Sequence, residues 1–249
     1  MIPKDLNGIE SKLETVESAE RDVSLRISDI ANYANACRKI KESIENHKPD
    51  TVLCAVPQAY HIGKIVRGIG FEKPIKMLPY PADEKRSYNA IKDIIHQTRK
   101  NSIKVAVIDF SGQASDYIEL FTTALKEDIM ERNWDECSLE LSVENLAMAE
   151  RPVMEQFSES DYEINANEKS TILFSDIKIN HIPFSNQTEN RYLVGAKYNA
   201  ETGLKKIGCA GKLNIYDEKG LRRIIQLRST RDETIHDLFV RQVIDCGKK

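Results

Sequence analysis

The sequence predicts an α/β protein: a mostly parallel sheet with flanking helices, followed by a strand-rich antiparallel C-terminal segment. Three observations predict it. Two short apolar runs without alternation, residues 51–56 and 105–108, have the character of strands buried on both faces. Helix-patterned stretches lie before, between and after them, and strands that alternate with helices imply crossover connections and parallel pairing. Beyond about residue 135 the pattern changes to short β-rich stretches separated by turn signals, which suits an antiparallel meander. With 249 residues, 41% hydrophobic and 30% charged, the chain can bury a core and fits one large domain or two small ones. The change of pattern places the expected division between residues 1–150 and 151–249.

Each element follows from local pattern. Residues 5–47 are polar, with Leu13, Val16, Val23, Leu25, Ile27, Ile30 and Tyr33 suggesting one or two amphipathic helices. The helix stops before Pro49, because a residue preceding proline disfavours the helical region. The run 51–56 is a strand ended by Pro57, and 62–70 a helix closing on a glycine. A short strand at 75–78, a loop at 79–86 and a helix at 88–99, with Ile91, Ile94 and Ile95 on one face, come next. The second buried strand ends at Asp109, and 115–129 is helical with Ile118, Phe121 and Leu125 inward. Leu139, Leu141 and Val143 alternate and predict a strand, whereas 156–169 is acidic and rich in Ser and Asn and reads as a loop or linker. Strands are expected at 171–179, 192–198, 207–216 and 221–227, and a last helix at 232–244.

Charge is uneven along the chain. Residues 191–249 carry 13 Lys and Arg against 7 Asp and Glu, a net of +6, while the preceding 190 residues carry 23 against 32, a net of −9. Such asymmetry fits a surface for an acidic partner or nucleic acid, or an attraction between the two halves. The candidate contacts to a partner protein or nucleic acid are Lys205, Lys206, Lys212, Arg222, Arg223 and Arg228, with Tyr192, Tyr198 and Tyr216 among them. The alternating strands also predict exposed edges of the kind that pair with another chain, a protein partner or a second copy. No apolar run is long enough to cross a bilayer, and the first residues have no apolar leader pattern. The five cysteines are scattered and odd in number, which fits reduced thiols and a cytoplasmic protein rather than a disulfide framework or a zinc finger. The five histidines show no metal-ligand spacing.

In a parallel sheet, ligands bind outside the carboxyl ends of the strands. The two stretches that would lie there carry the chemistry. Residues 48–57 (KPDTVLCAVP) lead into a turn with Gln58 and His61, and residues 104–115 (KVAVIDFSGQAS) place Asp109 ahead of Ser111, Gly112 and Ser115. Small residues and free amides at a helix start attract phosphate. Together, residues 48–128 resemble the plan of a type I phosphoribosyltransferase. That resemblance implies a Rossmann/phosphoribosyltransferase-like domain and a backbone anion cradle at Ser111, Gly112 and Ser115. It further implies a ribose-hydroxyl acceptor at Asp109 and phosphate neighbours at Gln58 and His61. If transfer chemistry is retained, it also implies Mg²⁺ and a hood loop at residues 79–89.

Asp109 at the end of an apolar strand also resembles the first strand of ribonuclease H-like nucleases, with Asp176 and Asp237 as the further carboxylates that two-metal chemistry would need. The function these patterns support is a binding or regulatory subunit. Its α/β part would recognise a phosphate-bearing ligand, and its basic segment would contact a partner protein or nucleic acid. The alternatives are a phosphoribosyl or glycosyl transferase, the nuclease, and a purely structural partner subunit.

Overall fold

The structure is a computed structural model that describes residues 14–15, 20–80, 82–98, 102–110, 119–124, 137–148, 162–167, 170–182, 195–231 and 233–249. In chain order the elements begin with β1 (Glu14–Thr15), β2 (Arg21–Arg26), α1 (Ile27–His47), β3 (Thr51–Ala55), α2 (Tyr60–Gly68), β4 (Ile75–Leu78), α3 (Glu84–Thr98) and β5 (Ser102–Phe110). A helical stretch at 119–124 (α4) precedes β6 (Cys137–Met148). The chain then forms β7 (Tyr162–Asn167), β8 (Ser170–Ile182), β9 (Ala196–Asn199), β10 (Gly203–Gly208), β11 (Gly211–Tyr216), β12 (Arg223–Arg228) and α5 (Ile235–Gly247).

The main sheet has six strands in the order β4-β3-β5-β6-β8-β7. All neighbours in it are parallel except the β7–β8 pair, which is antiparallel. The two runs read as buried strands are its centre: every side chain from Val52 to Ala55 and from Val105 to Ile108 is buried. Helices α1, α2 and α5 pack on one another, with α1 and α2 also against the sheet. Two small sheets, β12-β11-β2 and β1-β10-β9, complete the fold, and each joins antiparallel C-terminal strands to a strand from the N-terminal region.

Several expectations are corrected by long-range pairing. Residues 21–26 form a strand rather than part of a helix. Val23 and Leu25 alternate with exposed or half-exposed neighbours, and β2 finds its partner in β11, Leu213 beside Val23 and Ile215 beside Leu25. Residues 171–179 belong not to an antiparallel meander but to β8, which lies parallel to β6 in the main sheet. Within the stretch read as a linker, residues 162–167 form β7 on the sheet edge. The single strand expected at 207–216 is two, β10 and β11, separated by Cys209 and Ala210. Helix α3 begins at Glu84, because the Asp83 carboxylate accepts from Arg86 N–H at 2.9 Å and caps the first turn. A boundary at residue 150 falls inside one sheet, since β6 and β8 are hydrogen-bonded neighbours across it.

The N-terminal helix shows how sequence sets an element. The Asp29 carboxylate accepts from Arg26 N–H at 2.9 Å, satisfying a donor at the helix start. Ile30, Tyr33, Ala34, Cys37, Ile40 and Ile44 recur at helical spacing and are all buried. The helix ends where Lys48 turns left-handed, φ 52°, and its N–H donates to the Ile44 carbonyl at 3.1 Å ahead of Pro49.

The parallel pair β2–β11 depends on a close backbone approach at Gly211. A Cβ at that position would stand 1.8 Å from the Arg21 carbonyl oxygen. Gly211→Ala must therefore part the two strands, and we expect a loss of about 2–4 kcal/mol of stability in urea denaturation with the slope unchanged.

Candidate functional site

Strand β3 sits between β4 and β5, so the chain leaves β3 toward one side of the sheet and returns to pair with β3 on the other. That reversal of strand order is where open parallel sheets hold ligands. In the β3–β5 register Cys54 lies beside Ile108. The next step along each strand brings Ala55 level with Asp109, so the carboxyl ends of β3 and β5 lie on the same rim.

Beyond Ala55 the chain turns sharply. The Val56–Pro57 peptide is cis, Ala59 N–H donates to the Ala55 carbonyl at 2.8 Å, and Tyr60 N–H donates to the Pro57 carbonyl at 3.2 Å. The Cys54 thiol also donates to the Ala59 carbonyl at 3.1 Å. Helix α2 starts here with no side-chain cap. Gln58 is half-buried, and its side-chain oxygen is buried without a hydrogen-bond partner. A buried acceptor of that kind calls for a donor from water or a ligand. Asp109 is buried at the end of β5. Ser111, Gly112 and Ser115 lie outside the described residues.

His61 is fully buried in the first turn of α2. Its Nε2 is hydrogen-bonded to the Tyr33 hydroxyl of α1. The ring meets Phe110 of β5 edge-on at 5.2 Å and His236 of α5 edge-on at 6.4 Å. Tyr33 in turn meets Phe239 of α5 edge-on at 5.2 Å, and Tyr60 stacks on His236 at 6.2 Å. Gly195, with φ +65°, lies so close under the His236 ring that a Cβ there would come within 2.3 Å of it. Helix α5 is held at this junction by its own cap: Thr234 Oγ accepts from Asp237 N–H, and the Asp237 carboxylate accepts from Thr234 N–H at 2.9 Å.

The electrostatics keep His61, the two tyrosine hydroxyls and the nearby thiols uncharged. Burial first, and then the neighbouring His236, push the His61 imidazole down to about 3; Lys64 acts in the same direction, and a backbone hydrogen bond with Gln58 opposes them. Burial raises the Tyr33 hydroxyl well above its ordinary value, with Cys37 adding to the effect. The Cys37 and Cys54 thiols are likewise raised by burial. Burial, then Asp237, then Cys54 raise Tyr60 to about 12. His61 is therefore a neutral hydrogen-bonding ring over the strand ends, not a cation for an anion. The cation at this rim is Lys64, half-buried, 3.5 Å from the Asp237 carboxylate and 5.4 Å from the centre of the Tyr60 ring.

The C-terminal strands reach this cluster through Gly195, which lies under the His236 ring. Ile207 N–H donates to the Gly195 carbonyl at 3.1 Å, and Ile235 N–H donates to the Cys209 carbonyl at 3.0 Å. Arg86 donates to the Tyr198 hydroxyl at 2.9 Å, which ties the segment expected as a hood, residues 79–89, to β9. Half of that segment is the first turns of α3.

The basic candidates are divided between the two small sheets. Lys205 and Lys206 lie on β10, opposite Lys197 and Ala196. Lys212 lies on β11, and Arg223 and Arg228 on β12. Arg228 forks onto Glu20 at 2.9 and 3.1 Å, and Lys212 stands 3.9 Å from Asp22. Part of the charge asymmetry is thus spent joining the two ends of the chain. Arg222 and Arg223 are exposed.

Sequence reading assigned no binding role to Tyr33, Tyr60 or Lys64, and it offered Asp237 only as a carboxylate of the nuclease alternative. None carries a local motif, and they meet only because α1, α2 and α5 pack together. Among the described residues no group of acidic, histidine or cysteine side chains is arranged to hold a metal ion, and no helix is long and apolar enough to cross a membrane. No protein-family model, curated protein or solved structure matches the chain.

The buried imidazole has a pH signature. It is neutral in the fold down to about pH 3, whereas the ordinary value is 6.5. Between these limits the unfolded chain binds the extra proton, so stability is full above about pH 6.5 and is lost as pH falls toward 3. His61→Gln, which does not titrate, should flatten the fall by about 1 kcal/mol per pH unit between about pH 6 and 4. Urea denaturation of both proteins across that range measures the difference, and parallel curves would refute it.

Proposed function

We propose that the protein is a binding or regulatory subunit that recognises a phosphate-bearing ligand at the rim formed by the ends of β3 and β5, and that its C-terminal strands face a partner. The observation that carries this reading is the reversal of strand order between β4-β3 and β3-β5, which sets the carboxyl ends of β3 and β5 side by side. Around it stand the start of α2, which has no side-chain cap, the Lys64 ammonium, and the unpartnered Gln58 oxygen, an acceptor suited to a ligand hydroxyl rather than to the phosphate itself. Amides at a helix start and a nearby lysine suit an anion. The ligand lies at the outer rim, against Gln58 and Lys64, because the His61 and Phe110 rings fill the space directly over the strand ends.

Recognition rather than transfer is favoured by that filling and by the neutrality of the histidine. Asp109 also stands without the second adjacent acid that the phosphoribosyltransferase plan places beside it. The Rossmann/phosphoribosyltransferase-like description of the main sheet belongs to the same reading.

Thermal unfolding in the presence of inorganic pyrophosphate and of phosphoribosyl pyrophosphate, with and without Mg²⁺, tests it. A ligand at about a hundred times its Kd stabilises by about 2.7 kcal/mol, a shift of several degrees. We expect a metal-independent shift that Lys64→Ala abolishes. A shift that requires Mg²⁺ and is lost in Asp109→Asn would favour the transferase, and no shift with either compound would reject the phosphate site.

A further inference from the structure

Three large apolar side chains are exposed among the described residues: Leu221 at 81%, Ile224 at 50% and Ile27 at 39%. They gather at one end of one small sheet. Tyr216 of β11 pairs with Arg26 of β2 on one side and with Arg223 of β12 on the other. Ile27 directly follows Arg26, Ile224 directly follows Arg223, and Leu221 begins the approach to the strand. Single exposed apolar residues need no explanation, but several at one end of a sheet whose other exposed side chains are polar mark an interaction site.

The strand beside this cluster is an edge. In the order β12-β11-β2, β12 has β11 as its one strand neighbour among the described residues. From Ile224 onward its side chains alternate, Ile225 and Leu227 half-buried against the core and Ile224, Gln226 and Arg228 exposed, while a register shift opposite Ile215 and Tyr216 leaves Ile224 as an extra residue beside the equally exposed Arg223. The charges around it are mainly basic, although the preceding turn also carries Asp217 and the exposed Glu218. Arg222 and Arg223 are exposed and form no ion pair among the described residues, Lys219 is exposed in the preceding turn, and the Arg26 guanidinium lies beside Gly220 in that turn. Arg228, by contrast, is already engaged by Glu20.

We infer that β12 and the turn before it are a docking edge for an extended, acidic segment of a partner protein, added as a fourth strand to the sheet β12-β11-β2. Main-chain pairing along the edge supplies affinity, and alternate side chains supply choice. Acids across from Arg222 and Arg223 and an apolar residue over Leu221 and Ile224 complete the fit. A second copy of this chain is disfavoured as occupant, because antiparallel pairing of two β12 strands sets arginines against arginines. Nucleic acid is disfavoured because the exposed cluster is aliphatic and offers no ring for stacking a base.

This deepens, and rests on, the reading of the C-terminal strands as partner-facing. Selection of random dodecapeptides displayed on phage against the full chain tests it. The enriched sequences should alternate acidic and apolar residues. A labelled peptide made from them should bind the chain, lose about tenfold or more in affinity to an Arg222→Glu, Arg223→Glu double variant, and weaken with Leu221→Ser. Binding should slow amide hydrogen exchange along β12. All three substitutions are of exposed residues, and an unchanged unfolding curve confirms the fold of each variant. Enriched peptides without acids, or undiminished binding to the double variant, would overturn the inference. Peptides that protect β10 in place of β12 would overturn strand addition yet leave a partner-facing segment. Selection of no peptide, with binding instead to anionic vesicles or to RNA, would overturn both.

Discussion

The burial of one uncharged imidazole organises this molecule. His61 opens α2 directly above the paired ends of β3 and β5, and its ring touches α1 through Tyr33, β5 through Phe110 and α5 through His236. A charged ring could not sit there, because moving an ion out of water costs far more than one hydrogen bond returns. The site's neighbours follow from that constraint. The Tyr33 hydroxyl stays protonated and bonded to the ring, the thiols of Cys37 and Cys54 stay neutral, and the cationic Lys64 is held outward against Asp237 and Tyr60. The interior of the rim is therefore a structural junction, and chemistry with solvent-borne ligands is pushed to its margin.

That junction closes the chain on itself. The helix that begins at Ile235 supplies His236 and Phe239 to a cluster whose other members come from residues 33–61 and from Phe110. Strand β2 reaches across to β11 in parallel register, and the Glu20–Arg228 and Asp22–Lys212 pairs reinforce the same join. Surface pairs of this sort contribute little each. Most of the stabilisation at the join comes from burying Val23, Leu25, Leu213 and Ile215 and from the hydrogen bonds of the ladder. The Tyr33–His61 hydrogen bond and the ring contacts enclosed by such packing fix one relative placement of α1, α2 and α5.

The basic character of the C-terminal segment divides accordingly. Some cations answer acids of the N-terminal region, some lie on β10 opposite β9, and two arginines remain beside the exposed aliphatic residues at β12. A net charge of +6 over residues 191–249 thus describes several local situations rather than one field, because acids interleaved within a Debye length cancel much of the potential.

The sequence by itself determined the elements whose signals are local. Unbroken apolar runs marked β3 and β5 as central strands, Pro49 and Pro57 marked their surroundings as breaks, and three-and-four spacing marked α1, α3 and α5. From these came parallel pairing and the two strand ends on one rim, which the β3–β5 register places together. Tertiary structure alone decided what long-range pairing controls. Val23 and Leu25 fit a helix stripe as well as a strand, and only β11 beside them selects the strand. Residues 170–182 have the same alternation in a meander as in a parallel sheet, and only β6 selects the latter. His61 looked open to an anion in its loop, but Tyr33, Phe110 and His236, remote in sequence, bury it and leave it neutral. Backbone propensity is set by neighbours along the chain, whereas burial, register and protonation are set by neighbours in space.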